Sequence, residues 1–165
     1  TRQADMVAES RSRDSLTGLR NKRDVLNQAQ KWLTTDDKQP LWIAHMSLDE
    51  FTHVNLSVGH SRGDDAVSSA ANVLRKFIPE DALLTRLAGV EFFAALPSRN
   101  RDEAIAVMAQ MRRRVSAVRM GNEPIQLRVG MVEVAKHPTT ELPSLLALTR
   151  FAAEPSGENC IRLVD

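Results

Sequence analysis

Apolar residues recur along the chain with two different periods. Leu41, Trp42, Ile43, Ala44, Met46 and Leu48 follow one another almost unbroken, which is the signature of a strand buried on both faces. The runs 82–87 and 92–96 are mostly apolar as well. Between them Ala88, Gly89, Val90 and Glu91 predict a tight hairpin turn that carries one carboxylate. Further strands are expected over 125–134 and 160–164. Elsewhere the spacing is helical. Ala66, Val67, Ala70, Ala71, Val73, Leu74, Phe77 and Ile78 share one side of a helix opened by Gly63 and Asp64 and stopped by Pro79. Ile105, Met108, Met111, Val115 and Val118 mark another over 102–118. Helices are also expected over 22–33 behind an Asn21 N-cap, over 50–58 until Gly59 and His60 break it, and over 142–153 with Pro143 in the first turn.

This order predicts an α/β (α+β) fold: a five-stranded mixed sheet, largely antiparallel, flanked by about five helices. Residues 1–13 are polar apart from Ala4, Met6, Val7 and Ala8 and read as a connecting helix or linker, which leaves 14–165 as the domain. The chain starts at Thr1 without a Met and stops just after a strand-like run, so it reads as a module of a longer protein.

Composition narrows the class. With 165 residues, 42% of them apolar and 26% charged, the chain can bury the core of one ordinary domain. A net charge of +1 supplies no bulk attraction to nucleic acid or to an anionic membrane. The single Cys160 excludes an internal disulfide and fits a reducing, cytoplasmic setting. No apolar run is long enough to span a membrane, and no signal pattern opens the chain.

Three blocks of sequence carry a family resemblance. Asp14-x-Leu16-Thr17-Gly18-Leu19-x-Asn21-Lys22-Arg23 opens the domain. Asp49-x-Phe51, Asn55 and Gly59-His60-x-x-Gly63-Asp64 follow the first strand, and Arg86-x-Ala88-Gly89-Val90-Glu91-Phe92 forms the hairpin. In this register the chain resembles the GGDEF family, the diguanylate cyclases that join two GTP molecules into cyclic di-GMP. The resemblance runs from Asp14 to the C-terminus and implies the family's fold.

It also implies where chemistry should sit. In the family, a 3′-hydroxyl of one GTP attacks the α-phosphate of another, and magnesium held by hard oxygen ligands neutralises the developing charge. The ligand at the end of the first strand is an Asp, and Ser47 stands there. The neighbouring carbonyl corresponds to Leu48, the signature Asp to Val90 and the signature Glu to Glu91. Loss of a general base alone costs about 10²–10⁴ in rate, and a metal ligand is missing too. The phosphate cations correspond to Thr52, Glu154 and Glu158, and the family's helical Tyr to Phe151. Carboxylates in place of cations should repel a phosphate. The product-inhibition motif corresponds to Pro79-Glu80-Asp81-Ala82 and is absent, while Arg99-x-x-Asp102 and Arg62-x-x-Asp65 read as coincidence.

The resemblance therefore implies a catalytically inactive regulatory or interaction module with a degenerate signature at Ala88, Gly89, Val90, Glu91 and Phe92. It would need no cofactor or metal. Neighbouring domains of the EAL type, and a homodimer, are the partners implied. Two alternatives stand beside this one. A weak diguanylate cyclase would hold one magnesium with Glu91 and the Leu48 carbonyl. A GTP sensor would read guanine with Asn55 and Asp64, with Gly89 and Glu91 nearby. Plainer readings remain for the same residues. Asp64 can cap its helix, Glu91 can be a leftover surface acid, and Arg86 can anchor the hairpin to a carboxylate. His45, His53 and His60 lack a ligand spacing and read as structural. Arg112, Arg113 and Arg114 read as a solvated helix face. Gly59 and Gly89 supply backbone conformations that other residues resist.

Overall fold

The computed structural model describes residues 13–35, 40–49, 60–120, 123–136, 141–152 and 161–164. Strands β1 (Leu41–Asp49), β2 (Leu83–Ala88), β3 (Glu91–Pro97), β6 (Gln126–Glu133) and β7 (Ile161–Val164) form a five-stranded sheet in the order β2-β3-β1-β6-β7. Pairing is antiparallel everywhere except at β6–β7, which is parallel. The expected mixed, largely antiparallel sheet is therefore present. A two-stranded ribbon of β4 (Arg119–Met120) and β5 (Glu123–Pro124) precedes β6. Its strands are too short to leave a periodic signal, and the sequence reading did not include it.

Four helices are described: α1 (Lys22–Thr34), α2 (His60–Phe77), α3 (Arg101–Ser116) and α4 (Leu142–Ala152). The expected short helix over 50–58 lies outside the described residues, as does all of the expected linker over 1–13 except Arg13. Asn21 caps α1 by accepting from the Arg23 amide. At α3, Asn100 and Glu103 form a reciprocal capping box, which fixes the start of that helix. Helix α2 begins at His60, one turn before the Gly63-Asp64 start read from the sequence. Gly63 is thus carried inside the helix, and Asp64 has left the capping position.

Period-two alternation along β1 splits the core into two layers. Trp42, Ala44, Met46 and Leu48 face α2 and α3, together with Phe92, Ala94, Leu96, Val129 and Met131. Leu41 and Ile43 face the other way, with Phe93, Ala95 and Val132, against α1 and α4. Trp32 on α1 packs at the margin of this second layer.

The opening loop is fastened to both its neighbours. Asp14 Oδ2 accepts from the Thr17 amide at 2.9 Å and from the Thr17 hydroxyl at 2.7 Å. Ser68 Oγ of α2 donates to the Leu16 carbonyl, and Thr85 Oγ1 of β2 donates to the Arg20 carbonyl. Gly18 turns the loop with a φ of 72°.

Candidate functional site

The hairpin tip and the end of β1 come together through register. Ser47 stands opposite Glu91, and the Leu48 amide donates to the Val90 carbonyl at 3.1 Å. The four positions that the family resemblance assigns to metal and base therefore share one corner of the sheet. Gly89 and Val90 form the two-residue turn between β2 and β3, with Gly89 at a φ of 47° in the left-handed region. Arg86 Nη1 donates across the turn to the Gly89 carbonyl. Ala88 is exposed, Phe92 is fully buried, and Val90 packs its half-buried side chain against the core.

Glu91 is not a solvated surface acid. Its Oε1 lies 3.1 Å from His45 Nε2 and 3.4 Å from Arg150 Nε. The three residues converge because His45 and Ser47 are two apart on β1 and so share the face on which Glu91 begins β3, while α4 crosses that face and brings Arg150 over it. Glu91 is 32% exposed, His45 2% and Arg150 53%, which grades the cluster from interior to solvent. Burial pushes the His45 imidazole below its ordinary pKa, and Arg150 adds to the lowering, against the pull of Glu91 in the other direction. A neutral imidazole facing a carboxylate must carry its proton on Nε2 and donate it. His45 Nδ1 is then a buried acceptor, and it has no hydrogen-bond partner among the described residues.

Arg86 anchors the hairpin on its other flank, with Nε 3.2 Å from Asp14 Oδ2. Burial pushes the Asp14 carboxyl up, but the Thr17 hydroxyl, the Thr17 amide and the Arg86 guanidinium together hold it below the ordinary carboxylate value. Arg99, set aside in the sequence as part of a chance motif, makes a two-pronged pair with Asp81 at 3.0 and 2.9 Å. That hydrogen bonding lowers the Asp81 pKa. The pair braces the turn after α2 against the end of β3.

The basic run on α3 is also more than a solvated face. Arg112 Nε donates to the Leu127 carbonyl, and the Arg114 guanidinium lies 4.5 Å from the Phe77 ring centre, although Arg113 and Arg114 are both exposed. Asp64 is exposed in the second turn of α2, so the capping role read for it does not apply. Asn55, Thr52, Glu154, Glu158, His53, Gly59 and Cys160 lie outside the described residues. Arg150 was not singled out in the sequence. Its reach depends on how α4 packs, whereas the pairing of His45 with Glu91 was open to the alternation along β1.

The family's magnesium does not fit these residues. Of the four positions that the family resemblance assigns here, Glu91 alone carries a carboxylate, and its Oε1 is engaged by His45 and Arg150. No group of three or more His, Cys, Asp or Glu side chains that could hold a metal ion occurs among the described residues.

The family "Diguanylate cyclase, GGDEF domain" matches residues 11–151, and the chain belongs to it. Among curated relatives, the probable diguanylate cyclase DgcT of Escherichia coli K12 is 27% identical over 162 residues, covering 93% of this chain. The chain spans 36% of that relative's length. The coiled coil and GGDEF domain of DgcB from Caulobacter crescentus, solved with c-di-GMP, superposes with a TM-score of 0.84 at 19% identity, covering 99% of this chain and 91% of that one. The S helix-GGDEF-EAL protein LapD of Vibrio cholerae, bound to c-di-GMP, gives 0.81 at 20% identity, covering 99% of this chain and 39% of that one. These two likenesses show the fold. Among the described residues, no helix is long and apolar enough to cross a membrane.

Proposed function

We propose that this GGDEF domain does not synthesise cyclic di-GMP and serves as a regulatory or interaction module within a longer cytoplasmic signalling protein. An adjoining EAL domain, as in LapD, is the neighbour that best suits such a module. The carrying observation is the corner where β1 meets the hairpin. Ser47 faces Glu91, Val90 is turned to the core, and Glu91 is already engaged by His45 and Arg150. A hydroxyl and an isopropyl group supply neither the second metal ligand nor a base for the attacking hydroxyl.

Turnover of GTP with magnesium or manganese tests the reading. The assay belongs at high protein concentration, because the family's reaction needs two facing domains. No product is expected. Cyclic di-GMP formed by the wild type and abolished by Glu91→Ala would overturn the proposal.

A GTP sensor without turnover is the second reading, and the exposed Asp64, free of a capping duty, favours it. Calorimetric titration with guanosine and with GTP separates the two. Base recognition without phosphate cations gives similar affinities for both ligands, and a pure interaction module gives heat with neither.

A further inference from the structure

The mismatch between Glu91 and a divalent cation has a positive content. We infer that the chain's own Arg150 occupies the electrostatic role of that cation, and that His45, Glu91 and Arg150 form an internal latch closing the hairpin tip onto α4. The inference rests on the reading of this corner as non-catalytic.

Three observations carry it. Both contacts converge on a single oxygen, Glu91 Oε1, from two different elements: His45 of β1 and Arg150 of α4. The carboxylate is two-thirds withdrawn from water, so the groups that touch it replace much of its hydration. His45 meets that oxygen with a ring nitrogen from a fully enclosed side chain, and the permanent positive charge beside it is that of Arg150. A metal ion approaching the same oxygen would meet a guanidinium of like sign and would have to displace it. The latch thus holds the tip in place in the absence of any ligand.

Manganese reads this directly, since a bound paramagnetic ion broadens the amide resonances of nearby residues. In the wild type at millimolar Mn²⁺, the amides of Gly89, Val90 and Glu91 are expected to keep their intensity. In Arg150→Gln the carboxylate is released and those amides broaden. Arg150→Lys, which keeps the charge, behaves as the wild type, and Arg150→Gln combined with Glu91→Gln loses the broadening again. Arg150 is half exposed, so these variants should fold, and unchanged resonances in the far layer check it. Broadening of the hairpin in the wild type would overturn the inference, as would sharp hairpin resonances in Arg150→Gln. No GTP is present in this experiment. A cyclase found by the turnover assay would sink the functional reading by itself, and wild-type broadening without turnover would sink the latch alone.

Discussion

The guanidinium of Arg86 sits 3.2 Å from the carboxylate of Asp14, tying the signature hairpin to the loop that precedes α1. The two residues are far apart in sequence and stand at the start of separate family blocks. Their meeting joins the two blocks in space. Asp14 organises its own turn through Thr17 and at the same time holds the hairpin's flank.

Replacing Asp14 by Asn keeps its shape and removes its charge. We expect a loss of roughly 2 kcal/mol at neutral pH, the scale of hydrogen bonds to a charged group. The folded pKa of Asp14 is depressed, so its contribution is fully present above the unfolded value of about 3.9 and is lost as pH falls through the folded value. Urea denaturation across the acid range should show the wild type and Asp14→Asn converging at the acid end. Parallel curves would refute the assignment.

His45 titrates in a different window. Its folded pKa is also depressed, chiefly by burial, so the unfolded chain takes up a proton first as the solution is acidified. The stability it contributes is complete above about pH 6.5 and declines as pH drops toward the folded value. Urea midpoints on either side of that pH should differ for the wild type and not for His45→Gln. An equal slope in both would assign the pH dependence elsewhere.

Gly89 has open space around its missing side chain, with no atom within 4 Å, but a φ of 47°. Gly89→Ala should therefore cost about 1 kcal/mol through backbone strain alone. Gly89→Asn, which tolerates that conformation better, should cost less. Thermal melts of the two variants rank them. Equal losses would point to a side-chain clash.

Restoring acids at the signature should not restore a cyclase. In Ser47→Asp combined with Val90→Asp, Glu91 remains bound to His45 and Arg150, and Glu154 and Glu158 still replace cations in the sequence. No cyclic di-GMP above background is expected from GTP and magnesium. Robust synthesis would contradict both the latch and the argument from lost cations.

Much of the fold was legible because its signals are local. The apolar run of β1 announced a doubly covered strand, and Pro79 and the Gly89 turn framed the hairpin. The expected start of α2 fell at Gly63 and Asp64 because Gly59 and His60 read as a break, whereas the helix begins at His60 and continues through Gly63. The Asn100 and Glu103 capping box was present in the sequence as an Asn followed three residues later by Glu, and it passed unnoticed. The site was less legible. Ser47 and Val90 stood out against the family pattern, but the engagement of Glu91 depends on β1–β3 register and on the packing of α4. No spacing within one block encodes a contact between residues 91 and 150.

The two-layered core also makes the domain a spectroscopic object. It has two tryptophans and no tyrosine, and the sheet separates the pair. Trp42 is buried on the α2–α3 side, its indole N–H held by the Arg99 carbonyl, while Trp32 lies at the edge of the α1–α4 side. Intrinsic emission from single-tryptophan variants would therefore watch each layer on its own. Coincident transitions would mean that the sheet melts as one cooperative unit, and a lag between them would resolve which layer loosens first.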